Sequence, residues 1–211
     1  MKIALIIPPL ENIVRYLKQW HLEPADYGAF PPLGVLYIAT FLKMKMPGLE
    51  VKVIDCPSQK IGYKKLERFL KEFKPDIIGI SVFTECLVDA LKVARLAKSL
   101  DKVPHVCAGG AHLFIYPRQT MEFKDIDSIV IGEGENTFVE LVRQVRENRA
   151  IGGVSGLYTK ADIGMKEFVK SDEPDINTLP FFDTDLIDRR SYYSTVGRQN
   201  NMITLLSSRG C

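Results

Sequence analysis

Glycines follow two apolar stretches of the sequence at points where a ligand could approach the main chain. Gly109-Gly110 comes directly after residues 103–108, and Gly132-Glu133-Gly134 comes after residues 128–131. Because glycine has no Cβ, a bulky ligand or another backbone segment can pass close to it. The alternatives are a tight turn at the first pair and, at the second, an acidic residue that suits the N-terminus of a following helix. The residues alone leave both alternatives open.

Polar side chains lie at similar positions. Ser81 and Thr84 stand at the end of the apolar run 76–83, and Asp55 follows the run 51–54. Their oxygens could bond a ligand, although threonine also caps helix starts and aspartate also caps turns. His112 comes just after Gly110, where we expect it on the ligand side as a hydrogen-bonding group. A zinc site is not expected, since no second histidine or cysteine lies at ligand spacing.

Other chemistries lack their motifs. The sequence contains no GxGxxG and no Walker A loop, and the first apolar run ends in Pro8-Pro9-Leu10, where proline offers no N–H to a phosphate. Dinucleotide binding is therefore disfavoured. The four cysteines are widely spaced and form no CxxC pair, which predicts a reducing, cytoplasmic compartment without disulfides. They are Cys56, Cys86, Cys107 and Cys211. Cys86 begins a predicted helix, and we favour a buried packing role for it over a reactive thiol.

Composition narrows the class of protein. The 211 residues are 46% hydrophobic and 26% charged, with a net charge of +2, as in globular domains. Basic and acidic residues are interspersed, so nucleic acid is not expected as a partner. No apolar run reaches the roughly 18 residues of a membrane span, and the N-terminus does not resemble a signal peptide.

The hydrophobic pattern predicts the elements that must position these residues. Five continuously apolar runs are typical of strands covered on both faces. They occupy residues 3–7, 51–54, 76–83, 103–108 and 128–131. Amphipathic patterns between them predict helices at residues 33–43, 63–73, 85–100 and 135–147. This alternation predicts an α/β fold with a doubly wound, five-stranded parallel sheet, whose ligand lies beyond the carboxyl ends of the strands.

The remaining segments predict less regular structure. Residues 11–30 form a long loop, and residues 156–159 and 166–169 predict a small hairpin. Residues 172–193 are expected to form an extended linker, and residues 202–206 a further strand. We therefore divide the chain into a domain at 1–150, a hairpin and linker at 151–200, and the start of another domain at 201–211. Partial disorder is expected beyond residue 150.

Several motifs together resemble one family. They are Ile6-Ile7-Pro8-Pro9-Leu10, the stretch FPPLGVLYIA at 30–39, Gly109-Gly110-Ala111-His112, Gly132-Glu133-Gly134-Glu135, Leu179-Pro180-Phe181 and Ser207-Ser208-Arg209-Gly210-Cys211. In this order and spacing they resemble the B12-binding-domain class of radical-SAM proteins. That class includes corrinoid-dependent methyltransferases and enzymes of the anaerobic magnesium-protoporphyrin ester cyclase type. The resemblance runs across essentially the whole chain.

The resemblance implies a flavodoxin-like sheet that holds cobalamin, with the corrin ring across the strand ends and the nucleotide tail entering between strands. The implied cofactor-binding residues are Pro8, Pro9, Leu10, Asp55, Ser81, Val82, Thr84, Gly109, Gly110, His112, Gly132, Glu133 and Gly134. It also implies that Cys211 is the first of three cysteines that hold a [4Fe–4S] cluster, which cleaves S-adenosylmethionine. Expected partners are cobalamin, a radical-SAM barrel of the same polypeptide and, for this piece alone, a second copy. We expect this piece to be inactive by itself and truncated at Cys211.

One departure from the family pattern affects the expected cobalt site. The DxHxxG motif, whose histidine binds cobalt in many B12 domains, is replaced by Pro8-Pro9-Leu10-Glu11-Asn12. Two hypotheses follow: a cobalamin-binding module that serves methyl transfer or the modification of a tetrapyrrole or other small molecule, and a degenerate domain that binds no cobalamin and acts in docking or substrate access. A flavin- or nucleotide-binding protein is a third, disfavoured by the missing phosphate loops.

Overall fold

Five parallel strands form most of a six-stranded sheet. The computed structural model describes residues 1–12, 28–165, 167–195, 201–206 and 208. The strands lie in the order β2-β1-β3-β4-β5-β6. The parallel ones are β1 (Lys2–Ile7), β2 (Glu50–Asp55), β3 (Ile77–Ser81), β4 (His105–Gly109) and β5 (Ser128–Val130). The prediction of a flavodoxin-like, doubly wound parallel sheet is confirmed.

Helices cover both faces of the sheet, which explains why the strands are apolar throughout. They are α1 (Leu33–Lys45), α2 (Tyr63–Phe73), α3 (Leu87–Lys98), α4 (His112–Ile115), α5 (Pro117–Met121) and α6 (Gly134–Arg146). Helices α1 and α6 pack against the face that carries Leu5, Cys107 and Val130. The other four helices contribute to the core on the opposite face. None of the helices in the described part of the chain is both long and apolar enough to cross a membrane.

The order of the strands places the switch point between β1 and β3. The chain leaves β1 for α1 on one face, and it leaves β3 for α3 on the other. Loops that depart in opposite directions leave a crevice between them at the carboxyl ends of the strands. This is the edge at which most of the candidate site residues follow their strands.

The predicted hairpin after residue 150 is wrong. Strand β6 (Leu157–Thr159) instead pairs antiparallel with β5, with Tyr158 opposite Ile129. Residues 167–169 are not a strand, and Val169 meets Tyr158 through that tyrosine's hydroxyl, at 2.7 and 3.0 Å. The free edge of β5 offers unpaired main-chain groups, and pairing there also buries Leu157 and Tyr158. The main sheet is therefore a better partner than a local hairpin.

The segment predicted as an extended linker is packed against the sheet domain. It contains three short 3-10 turns, Ile176–Thr178, Thr184–Leu186 and Arg189–Ser191. Phe182 is buried against Tyr37 of α1, with ring centroids 5.7 Å apart. No strand forms in the described residues 201–206, where a strand was predicted. The N–H groups of Asn201 and Met202 both donate to the Tyr192 carbonyl, at 3.1 and 3.3 Å, which does not form the alternating ladder of a strand. The division of the chain at residues 150 and 200 stays a prediction.

One buried hydrogen bond fixes the end of this segment. The hydroxyl of Tyr192, which is fully buried, donates to Asp55 at the end of β2 over 2.9 Å. Ser58 donates to the same carboxylate over 2.8 Å. Burial raises the pKa of Asp55, while these hydrogen bonds act in the opposite direction. The neighbouring Tyr193 pairs with Ala29, each N–H donating to the other's carbonyl at 2.9 Å.

Removing the Tyr192 hydroxyl should destabilise the protein. In Tyr192→Phe the buried Asp55 carboxylate loses one of its donors, which costs about 1–3 kcal/mol in the free energy of unfolding. Urea denaturation followed by circular dichroism measures this change. Tyr116→Phe, on a side chain that is 42% exposed, is the matched control and should change stability by less than about 0.5 kcal/mol. Equal stability of the two variants would contradict the assigned role of Tyr192.

Candidate functional site

A cavity of about 1180 Å³ opens at the carboxyl ends of the parallel strands. Its floor is the sheet face that also carries α1 and α6, because residues two apart on a strand face the same side. Each of the four central strands contributes an inner residue to this floor and, at or just beyond its end, an outer residue. The pairs are Leu5 and Ile7, Gly79 and Ser81, Cys107 and Gly109, and Val130 and Gly132.

Two helices form the roof of the cavity, so that its deeper part is a slot between sheet and helices. Helix α1 contributes Leu33, Gly34, Val35 and Ile38, and α6 contributes Gly134, Glu135 and Phe138. The slot thus lies against one face of the sheet. The sequence predicted that a ligand's tail would enter between strands, whereas the cavity lies between one face of the sheet and the two helices.

The inner end of the slot is closed at Gly79. A Cβ added there would lie 2.6 Å from a methyl carbon of Leu5 and 3.3 Å from the ring of Phe138. Nearby, Cys107 is buried, and its burial raises the pKa of the thiol to about 12. The thiol is therefore neutral, and the inner slot carries no charge from it.

Two glycines of the cavity have no close neighbour that explains them. Among the described residues, a Cβ on Gly109 would meet only the Val130 carbonyl oxygen, at 3.9 Å, and a Cβ on Gly34 would meet nothing within 4 Å. Both residues line the cavity. They leave space that the described residues do not fill.

Three other predicted glycines are explained by contacts within the chain. A Cβ on Gly110 would lie 2.7 Å from the Val82 carbonyl oxygen, and one on Gly132 would lie 2.5 Å from Ser171 Oγ. A Cβ on Gly134 would lie 2.5 Å from Ile38, where α6 approaches α1. Gly110 and Gly132 also have positive φ values, +110° and +98°, which side chains disfavour. These glycines shape the cavity for reasons internal to the fold.

Most of the predicted cofactor-binding residues line the cavity together. They are Leu10, Asp55, Ser81, Gly109, Gly110, Gly132, Glu133 and Gly134. Pro8 and Pro9 are buried but do not line it. Val82 stands behind the floor, where its N–H donates to Gly109 and its carbonyl accepts from His112. Cys211 lies outside the described residues.

The structure places Thr84 and His112 away from the cavity. His112 Nδ1 lies 3.0 Å from Thr84 Oγ1, and the imidazole ring packs on Tyr116 with centroids 5.2 Å apart. Burial lowers the pKa of His112, so the ring is neutral at physiological pH. His105 is likewise bonded within the fold, to Ser128 at 2.8 Å. Cys86 is buried with a raised pKa, which confirms its packing role.

The outer wall of the cavity was missed by sequence reasoning. Residues 28–30 and Arg190, Ser191 and Tyr193 stand side by side there, joined by the pairing of Ala29 with Tyr193. Lys60 brings positive charge to this side, where the guanidinium of Arg190 is paired with Asp188, and Glu133 and Glu135 also line the cavity. Residues 172–193 have no strand or helix periodicity, so their sequence gave no signal of this position.

The loop after β1 is held by a second set of polar contacts. Asn12 donates to the buried Asp89 of α3 from its main-chain N–H at 2.9 Å and from its amide at 2.8 Å. Tyr63 of α2 also bonds Asp89. These contacts fix the end of the short stretch in which Leu10 lines the cavity. Within the described residues, no group of three or more histidines, cysteines and acids could hold a metal ion.

The sequence is similar to curated proteins that are considerably longer. It is 31% identical over its whole length to an uncharacterized methyltransferase of Pyrococcus horikoshii, of which it spans 43%. It is 30% identical over 156 residues to the anaerobic magnesium-protoporphyrin IX monomethyl ester cyclase of Rubrivivax gelatinosus, which is 72% of this chain and 28% of that protein. The chain thus spans less than half the length of these relatives.

Solved structures share the fold. The cobalamin-dependent S-adenosylmethionine radical enzyme OxsB, with aqua-cobalamin and S-adenosylmethionine bound, matches 88% of this chain and 24% of its own, with a TM-score of 0.68 and 18% identity. The radical S-adenosylmethionine methyltransferase TsrM of Kitasatospora setae, with cobalamin and a [4Fe-4S] cluster bound, matches 75% of this chain and 27% of its own, with a TM-score of 0.59 and 19% identity.

A family model agrees with these similarities. The model of the B12 binding domain matches residues 26–142, more than half of the chain, from the outer wall through β5 and most of α6. With this match and the whole-length similarity to the Pyrococcus protein, the chain belongs to the B12-binding domain family.

Proposed function

We propose that this chain binds cobalamin, with the nucleotide tail in the slot and the corrin ring across the carboxyl edge of the sheet. The observation that carries the proposal is the open space beside Gly34 and Gly109, on opposite walls of the slot. At neither position would a Cβ clash with a described residue. A flat ligand between sheet and helices would occupy it.

The chemistry of the lining fits the two parts of this cofactor. Cobalamin has a flat corrin ring edged with amides and a nucleotide tail that ends in an aromatic base. The slot is flat and mainly apolar, while Ser81, Gln59 and Glu133 at its mouth offer polar atoms to amides. Leu10, Phe30 and Phe83 line the same mouth and are 39%, 54% and 49% exposed. They provide apolar surface for the face of the ring.

Cobalt would be held without His105 or His112. Both histidines are bonded to other side chains of the fold, and neither lines the cavity. His21 lies outside the described residues. When bound, cobalamin supplies a cobalt centre that can carry a methyl group. This chain's own residues would bind and orient the cofactor and shield its tail from water.

We place this module in a larger radical-SAM enzyme. The relatives extend well beyond the matched region, and two of the structural neighbours are cobalamin-dependent or cobalamin-bound radical enzymes by their descriptions. The proposed reaction is methyl transfer or the modification of a tetrapyrrole or another small molecule. In this proposal Cys211 is the first cluster cysteine, a radical-SAM barrel of the same polypeptide covers the corrin, and the protein is cytoplasmic.

Binding of cobalamin can be measured directly. The purified chain is mixed with hydroxocobalamin and passed over a gel-filtration column, and the visible spectrum of the protein peak is recorded. About one corrin for each chain should remain with the protein. A correctly folded protein without corrin absorbance would contradict the proposal and favour a docking or substrate-access module.

Filling the slot should weaken cobalamin binding while the fold is preserved. Gly109→Leu and Gly34→Leu each place a side chain in the space that the tail would occupy, and we expect cobalamin affinity to fall by more than about tenfold. Leucine also favours the helix at position 34, so stability should not fall there. Affinity is measured by titration in the visible range, and unfolding in urea checks the fold.

Lys52→Leu, on an exposed residue of β2, is the matched control for added apolar bulk. It should bind cobalamin as the unaltered chain does. If both glycine variants also retain full affinity while folded, the tail does not lie in the slot.

A further inference from the structure

We infer that the inner slot selects among corrinoids by their lower base and prefers dimethylbenzimidazole to adenine. The inference rests on the proposed function, because the base reaches this space only if a corrinoid binds here. Corrinoids differ in this base while they share the corrin ring. Contacts at the inner end of the slot therefore decide the preference, and contacts at its mouth do not.

The side chains at the inner end are apolar. They are Leu5, Cys107 and Val130 from the sheet, Ile38 from α1 and Phe138 from α6. The Cys107 thiol is neutral, because burial raises its pKa to about 12. A neutral thiol is a weak donor and a weak acceptor. A base in this space therefore meets carbon and sulfur atoms.

The main chain of the floor offers little hydrogen bonding either. Gly79 and Cys107 are paired with each other between β3 and β4, and Cys107 is paired with Ser128 of β5. Leu5 is paired with Val53 of β2 and with Gly79 of β3. In interior strands of a parallel sheet, the ladder uses the main-chain donors and acceptors. They are not directed at a ligand above the sheet.

The polar residues of the cavity lie nearer its mouth. Ser81 and Gly132 are two residues beyond the inner floor residues Gly79 and Val130. Glu135 stands in the first turn of α6, one turn ahead of Phe138, and α6 begins at the carboxyl edge of the sheet. Phe138 itself packs over Gly79, at the closed end. Glu135 is itself buried, at 2% exposure, and borders the space beside Phe138 from the side of the mouth.

The two bases differ in the number of hydrogen bonds to water that they lose when they enter the slot. Dimethylbenzimidazole presents a benzene ring and two methyl groups, which gain from burial. Adenine carries an exocyclic amine and additional ring nitrogens, and their hydrogen bonds to water are not replaced in an apolar slot. Each unreplaced bond costs about 1–3 kcal/mol, which corresponds to about fivefold to more than a hundredfold in affinity.

The preference is tested with three corrinoids and the unaltered chain. Hydroxocobalamin, the adenine-containing cobamide and cobinamide, which has no nucleotide, are titrated separately and followed by visible absorbance. Cobalamin should bind at least about tenfold more tightly than the adenine form, and cobinamide should bind more weakly than cobalamin. Equal or tighter binding of the adenine form overturns the inference while cobalamin binding stands. Cobinamide binding as tightly as cobalamin also overturns it, and failure of every corrinoid to bind overturns the proposed function as well.

A hydroxyl placed in the inner slot should reduce the preference. Val130→Thr adds a donor and acceptor to the floor with little change of shape, and the ratio of the two affinities should narrow by about threefold or more. Val106→Thr is the matched control, on a buried valine of β4 that faces the opposite core. Val106→Thr should lower the free energy of unfolding about as much as Val130→Thr does, and it should leave the ratio of the two corrinoid affinities unchanged. An unchanged ratio in folded Val130→Thr would overturn the placement of the base.

Discussion

The slot exists because two helices pack against each other as well as against the sheet. At Gly134 the absence of a Cβ lets Ile38 of α1 approach α6, so the two helices form a continuous roof. Beneath them, Gly109 of β4 keeps the floor low, whereas Leu5 and Phe138 pack over Gly79 of β3 and close the inner end. A close-packed interior would normally fill such a gap with side chains. Here small residues lie on both sides of the gap, and the space remains.

Polar contacts outside the slot hold its walls in place. Tyr192 bonds the buried Asp55 and fixes the segment that lines the outer wall. On the opposite side, Ser171 donates to the Glu133 carbonyl over 2.7 Å and packs on Gly132. A buried polar group that loses its partner costs more than an exposed one, so these contacts define one arrangement of the walls. The mouth is therefore shaped by residues distant in sequence from the strands.

The sequence predicted the parts of the fold that are marked by a hydrophobic pattern or by a turn residue such as glycine. Continuous apolar runs identified all five parallel strands, and Gly109 marked a strand end that lines the cavity. The sequence could not reveal the depth of the slot. A strand that is buried on both faces is apolar throughout, so its residue pattern does not indicate which side chains face α1 and α6. The sequence analysis missed β6 and the outer wall, since pairing at a sheet edge and the burial of Tyr192 depend on tertiary contacts. His112 was expected on the ligand side because it follows Gly110 in the sequence. Its actual partner, Thr84, is distant in sequence and could not be predicted from that position.

The glycines at the slot also bear on the choice between a binding domain and a degenerate one. Gly110, Gly132 and Gly134 are explained by contacts within the chain, so either domain would need them. Gly34 and Gly109 are different, because larger residues would fit at both. Glycine in a helix costs up to about 1 kcal/mol relative to alanine, and no described residue within 4 Å of a Cβ at Gly34 explains this cost. A ligand that enters between Gly34 and Gly109 would offset this cost through contacts that a Cβ would block, which favours a binding domain over a degenerate one.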